Sequence, residues 1–123
     1  MRVGVVGCGN ISGIYFTNLT GIFGNIVNVY ACADLIEKNA GDAAEKYGIP
    51  HIMTFEEMLK CEDIRLILNL TTPLSHYSIN KQALLAGKHV YCEKPLAITF
   101  EEGEELCGIA EEKGLLLGCA PDT

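Results

Sequence analysis

The chain has no tryptophan, four prolines, and nine basic residues against sixteen acidic ones, for a net charge of −7 over 123 residues. Such a charge balance leaves no basic stripe for a phosphate backbone, which argues against nucleic-acid binding. Proline is too sparse for a rigid linker, and no repeat or low-complexity stretch interrupts the chain. With 49% hydrophobic residues the composition is not that of a disordered segment, and the length suits one domain with one core. No apolar run approaches the roughly 20 residues that a membrane span needs. Met1-Arg2 runs straight into a glycine-interrupted apolar stretch, so no leader peptide is expected. The six cysteines form no Cys-x-x-Cys pair, so neither a zinc site nor a disulfide framework is expected. Free thiols point to a reducing, cytoplasmic compartment. The acids cluster in Glu56, Glu57, Glu62 and Asp63, and again between Glu101 and Glu112; they read as solvated helix faces, not as a metal site.

What is present is a regular alternation of strand and helix patterns, beginning with Val3-Gly4-Val5-Val6-Gly7-Cys8-Gly9-Asn10-Ile11-Ser12. This reads as a short buried strand turning through glycines into a helix, the geometry that holds a dinucleotide pyrophosphate. Gly7 permits the tight turn, and Gly9 lets the backbone approach the phosphates. The helix start at Asn10, Ile11 and Ser12 offers N–H groups and a partial positive charge. Ser12 stands where the pattern usually has Gly or Ala, but it is small. Alone the glycine pattern is a weak signal. Its context is a second predicted strand, Val27 to Ala33, ending at Asp34, which lies 27 residues beyond Gly7 against the usual spacing of roughly 20. An acid there can accept the adenosine ribose hydroxyls and would repel a 2′-phosphate; the plainer role is to end a strand and cap a turn.

Downstream, Ile11, Ile14, Tyr15, Leu19 and Ile22 recur at helical spacing. Ala40, Ala43, Ala44 and Tyr47 mark a second helix that stops at Gly48. Tyr15, Phe16 and Tyr47 read as core or helix-face residues, not as adenine stackers. Strands are predicted at His51–Met53, Leu66–Leu70, His89–Cys92 and Leu115–Leu117. Thr54 with Glu57, and Thr99 with Glu102, form capping boxes. A helix is expected from about Ser75 to Ala86, and in a last helix Gly103, Leu106, Cys107 and Ala110 are expected to face inward. The result is an α/β fold, a doubly wound six-stranded parallel sheet of order 3-2-1-4-5-6 (a Rossmann fold) with helices on both faces. Its ligand site lies between strands 1 and 4, beyond their carboxyl ends.

Two further segments leave strands at that end: Thr71-Thr72-Pro73-Leu74-Ser75-His76 and Cys92-Glu93-Lys94-Pro95-Leu96-Ala97. Pro73 and Pro95 hold the residues before them out of helical geometry. Either threonine could donate a hydroxyl to the cofactor or cap the following helix. Together with the glycine turn, Thr72, Pro73 and His76, then Glu93, Lys94 and Pro95, resemble the N-terminal domains of the Gfo/Idh/MocA oxidoreductases. The resemblance runs from Val3 to Gly118 in the same order, and the Glu-Lys-Pro segment is its most specific part. It implies NAD as cofactor, with NADP possible, and a sugar, inositol or related polyol as substrate. It also implies that Lys94 is the catalytic residue, reaching the nicotinamide ribose and the substrate hydroxyl. Glu93 would contact that ribose, His76 would lie near the cofactor, and Lys94–Pro95 would be cis.

The segment Gly118-Cys119-Ala120-Pro121-Asp122-Thr123 departs from the resemblance, lacking the aromatic and arginine residues common there. Residues 1–123 are thus expected to be the dinucleotide-binding domain, with a C-terminal substrate and oligomerisation domain absent, a homo-oligomer at full length, and an exposed apolar patch where that domain would dock. Two other classes stay open: a non-catalytic dinucleotide-sensing module, and a Rossmann reductase of another pathway. Asp34 favours NAD over NADP, although Lys38 is close enough in sequence to neutralise a phosphate.

Overall fold

A computed structural model of the chain describes residues 1–9, 12–21 and 23–120. Its elements run β1 (Arg2–Val6), α1 (Ser12–Thr20), β2 (Asn28–Ala33), α2 (Glu37–Tyr47), β3 (His51–Ile52), α3 (Phe55–Lys60), β4 (Leu66–Asn69), α4 (Pro73–Leu85), β5 (His89–Cys92), α5 (Phe100–Lys113) and β6 (Leu117–Cys119). The strands form one sheet in the order β3-β2-β1-β4-β5-β6, and every pairing is parallel. This is the expected doubly wound sheet. Chain direction reverses its progress between β1 and β4, so the loops after these strands diverge and open a crevice.

Strand alternation sends successive side chains to opposite faces, and each face has its own core. Val3, Val5, Val29, Cys32 and Leu68 pack with Phe16 of α1 and with Ala40 and Ala43 of α2. Val6, Ala31, Ile67, Val90 and Cys92 pack with α3, α4 and α5 through Met58, Leu84 and Leu106. Each large apolar side chain so buried contributes about 1.5–3 kcal/mol. Both capping boxes form, with Thr54 and Thr99 accepting from the backbone of Glu57 and Glu102, whose side chains accept in return. Gly48 and Gly114 close α2 and α5 in the left-handed conformation.

Several sequence expectations shift. Helix α4 begins at Pro73 rather than Ser75, because proline at the first helical position has no N–H to lose and its φ suits the turn. Strand β6 begins at Leu117, not Leu115. The Leu115 N–H is taken by the Ala110 carbonyl at 2.8 Å, so the chain is still closing α5 there. On α1 the buried side is Ser12 and Phe16, with Phe16 stacked on Tyr47 at 5.0 Å, whereas Ile14 is 66% exposed. On α5, Cys107 is exposed while Leu106 and Ala110 are buried. The apolar positions of both helices admit more than one helical stripe, and contact with the sheet selects between them. An exposed apolar groove of about 680 Å³ runs along α5, lined by Leu96, Ile98, Phe100 and Cys107 among others.

At the amino end of the sheet, Lys88 is buried and its Nζ donates to the carbonyls of Cys61 (2.7 Å) and Ile64 (2.8 Å). Burial lowers the pKa of this ammonium, and the two carbonyls replace part of the water it has lost. Lys88→Met keeps the length of the side chain but leaves both acceptors without this donor. Urea denaturation should show a loss of about 1–3 kcal/mol; unchanged stability would mean that water reaches those carbonyls.

Candidate active site

The ladder continues one residue past each strand at the carboxyl edge. Gly7 N–H donates to Ala33 O (2.8 Å), Leu70 N–H to Val6 O (2.8 Å) and Glu93 N–H to Asn69 O (3.0 Å). The three loops singled out from sequence therefore leave the sheet side by side. Gly7 has φ +102°, and a Cβ on it would stand 2.7 Å from the carbonyl of Leu70. Protein geometry alone requires glycine there. Gly9 is different: among the described residues a Cβ on it would meet nothing within 4 Å, so the backbone there is open to the approach of a ligand. Ser12, the residue in place of the usual third glycine, is buried at the start of α1 and its Oγ donates to Gly9 O at 2.6 Å. Asn10 and Ile11 lie outside the described residues.

Asp34 follows β2 and accepts two backbone N–H groups, from Cys8 at 2.7 Å and from Ile36 at 2.8 Å. It thus caps the turn after its strand and also holds the glycine turn against it. A carboxylate has about four lone-pair sites, so hydroxyl groups can still be accepted. Beside it, hydrogen bonding with Cys32, and then burial, raise the Cys8 thiol above the ordinary thiol range.

The loops after β4 and β5 are tied together by buried side chains. Asn69 is fully buried at the end of β4; its Nδ2 donates to Asn80 Oδ1 (2.9 Å) and His76 O (3.3 Å). Its Oδ1 accepts from Thr71 N–H (3.1 Å) and Thr71 Oγ1 (2.6 Å). Asn80 then donates to Leu96 O at 3.1 Å. His76 is 1% exposed, with Nδ1 at 2.5 Å from Pro95 O and Nε2 at 2.7 Å from Thr71 O. Its ring is enclosed between the two loops, a place from which it positions them. The Thr71 proton is spent on Asn69, which leaves its oxygen only as an acceptor. Thr72 occupies the cap position of α4 with no side-chain capping bond; its Oγ1 lies 3.5 Å from Ser75 Oγ. Pro73 is the first residue of α4.

Glu93 is half-buried, Lys94 is exposed, and the Lys94–Pro95 peptide is cis. Tyr15 of α1 donates its hydroxyl to Glu93 Oε2. Just before this segment, burial pushes the Cys92 thiol up to about 12, so it is not a nucleophile at neutral pH. Sequence reasoning missed Tyr15, Asn69 and Asn80 as parts of the site. Asn69 left one signal, as the single polar break in an apolar strand; the others left none.

A glycine turn leading into a helix, an acid after β2, and Glu-Lys-Pro after β5 thus stand together at the carboxyl edge of the sheet. Residues 1–120 match the family model described as "Oxidoreductase family, NAD-binding Rossmann fold". The chain belongs to the Gfo/Idh/MocA family. An uncharacterized oxidoreductase of Schizosaccharomyces pombe is 40% identical over 94 residues, 72% of this chain and 25% of the relative. The inositol 2-dehydrogenase of Burkholderia cenocepacia is 32% identical over 103 residues, 82% of this chain and 30% of that enzyme. Among solved structures, GenD2 from gentamicin A biosynthesis, in complex with NAD, superposes with a TM-score of 0.91 at 28% identity, covering 98% of this chain and 34% of GenD2. The chain thus spans about a third or less of the length of these proteins.

The two glycines of the turn give separable outcomes. Gly7→Ala should destabilise the fold by about 2–4 kcal/mol, through both φ and the clash with Leu70, and lower the thermal midpoint. Gly9→Ala should keep stability within about 0.5 kcal/mol yet weaken NADH binding in a calorimetric titration. Equal losses of stability would show that Gly9, too, is demanded by the protein. Replacing His76 by Leu should cost about 1–3 kcal/mol, since the ring contacts that tie Pro95 O to Thr71 O are lost; a chemical melt matching the parent would contradict the stapling role.

Proposed function

We propose that this chain is the cofactor-binding part of an NAD-dependent dehydrogenase that acts on a sugar, an inositol or a related polyol. The observation that carries the reading is the Glu93-Lys94-Pro95 segment, joined through buried hydrogen bonds to the loop after β4 and standing one strand away from the glycine turn. Residues that would hold the dinucleotide are Gly7, Gly9, Asn10, Ile11 and Ser12 at the pyrophosphate, Asp34 at the adenosine ribose, and Thr71, Thr72, Pro73 and Glu93 along the nicotinamide side, with the enclosed His76 near the cofactor and positioning their loops. Gly9, open to 4 Å, and the carboxylate of Asp34 fit that group. When bound, the cofactor supplies hydride transfer at its nicotinamide ring.

Lys94 supplies the chemistry that belongs to the protein. An exposed ammonium in this loop can hydrogen-bond the substrate oxygen on which negative charge develops, and can hold or pass on its proton. Asp34 favours NAD, because a 2′-phosphate would meet a carboxylate. The substrate class rests on the family and on the inositol 2-dehydrogenase relative. A further domain, matching the remaining length of those relatives, is part of the reading, and the α5 groove is where such a domain would find apolar surface. A reducing, cytoplasmic setting also belongs to it, supported by six free thiols.

The test is Lys94→Ala in a protein of the relatives' length that carries this domain. Turnover on a panel of inositols and sugars should fall about 10²-fold or more, while NADH affinity stays within about 3-fold. Unchanged turnover would contradict a catalytic Lys94 and favour a dinucleotide-binding module.

A further inference from the structure

Tyr15 lies on α1, nearly one turn beyond the buried Ser12, and its hydroxyl reaches 78 positions along the chain to Glu93 Oε2. The contact crosses from the helix that starts at the glycine turn to the loop that carries Lys94. These two elements leave the sheet from β1 and β5, with β4 between them. The donor is neutral, so it orients the Glu93 carboxylate without cancelling its charge. Burial, then the bond to Glu93, raise the Tyr15 phenol above its ordinary value, so the hydroxyl keeps its proton at neutral and mildly alkaline pH.

We infer that Tyr15 is a positioning residue for cofactor binding: from the pyrophosphate helix it holds Glu93 so that the nicotinamide-side ribose meets a carboxylate already oriented. The inference rests on the reading of Glu93 as the ribose contact. A carboxylate on a loop has several side-chain torsions to order on binding, and a donor that orders it beforehand lowers that cost. The effect should therefore fall on the nicotinamide half of the ligand and spare the adenosine half.

Calorimetric titrations of the chain with NADH and with ADP test this, using Tyr15→Phe, Glu93→Gln and the double variant. Tyr15→Phe removes one oxygen and retains the ring. It should weaken NADH about 5- to 10-fold, the scale of one lost hydrogen bond, and leave ADP within about 2-fold. Glu93→Gln should weaken NADH as well, and the double variant should bind no more weakly than Glu93→Gln alone. If Glu93→Gln weakens NADH and Tyr15→Phe does not, the inference fails while the reading of Glu93 survives. If Glu93→Gln leaves NADH affinity unchanged, the reading of Glu93 fails and the inference with it. If Tyr15→Phe weakens NADH and ADP equally and lowers the melting temperature, Tyr15 only packs, and the inference is overturned.

Discussion

Asn69 is the residue on which the site depends. It sits with no solvent access at the last position of a central strand, where an apolar residue would pack more cheaply, and all four of its hydrogen bonds go to other parts of the chain. A buried amide is costly unless every bond is made. That condition fixes Thr71, the backbone of His76 and the side chain of Asn80 relative to β4. Asn80 and the His76 ring then reach the carbonyls of Leu96 and Pro95. Two loops that share no regular pairing are thereby held as one unit, and that unit carries Glu93 and Lys94 immediately before its attachments at Pro95 and Leu96.

The same economy governs the other side of the crevice. Gly7 allows β1 to turn against the Leu70 carbonyl, and Asp34 locks the turn through the Cys8 N–H. Glycine turn, acid and both loops are thus set by hydrogen bonds internal to the protein. A ligand entering such a site pays little to order it, which is how a domain of this size can bind a long, flexible dinucleotide.

Much of this was legible in sequence because the signals are local. The six strands, their order, both capping boxes and the glycine turn each follow from periodicity or from a few adjacent residues. What was not legible depends on contact at a distance. Which stripe of α1 faces the sheet was set by packing of Phe16 on Tyr47, so Ile14 turned outward. The closing turn of α5 takes the Leu115 N–H, which delays β6 to Leu117. Tyr15 with Glu93, and Asn80 with Leu96, are separated by 78 and 16 positions, and no local pattern announces either pair. Nor does any local pattern announce that the ring of His76 is enclosed, its two nitrogens meeting carbonyls from two different loops.

If Asp34 selects an unphosphorylated adenosine ribose, this chain by itself should tell the two nicotinamide dinucleotides apart. A calorimetric titration of the chain with NADH and, separately, with NADPH decides this. Clear binding of NADH and weaker binding of NADPH are expected. Equal affinity for the two would contradict the role given to Asp34, and no binding of either would contradict the site itself.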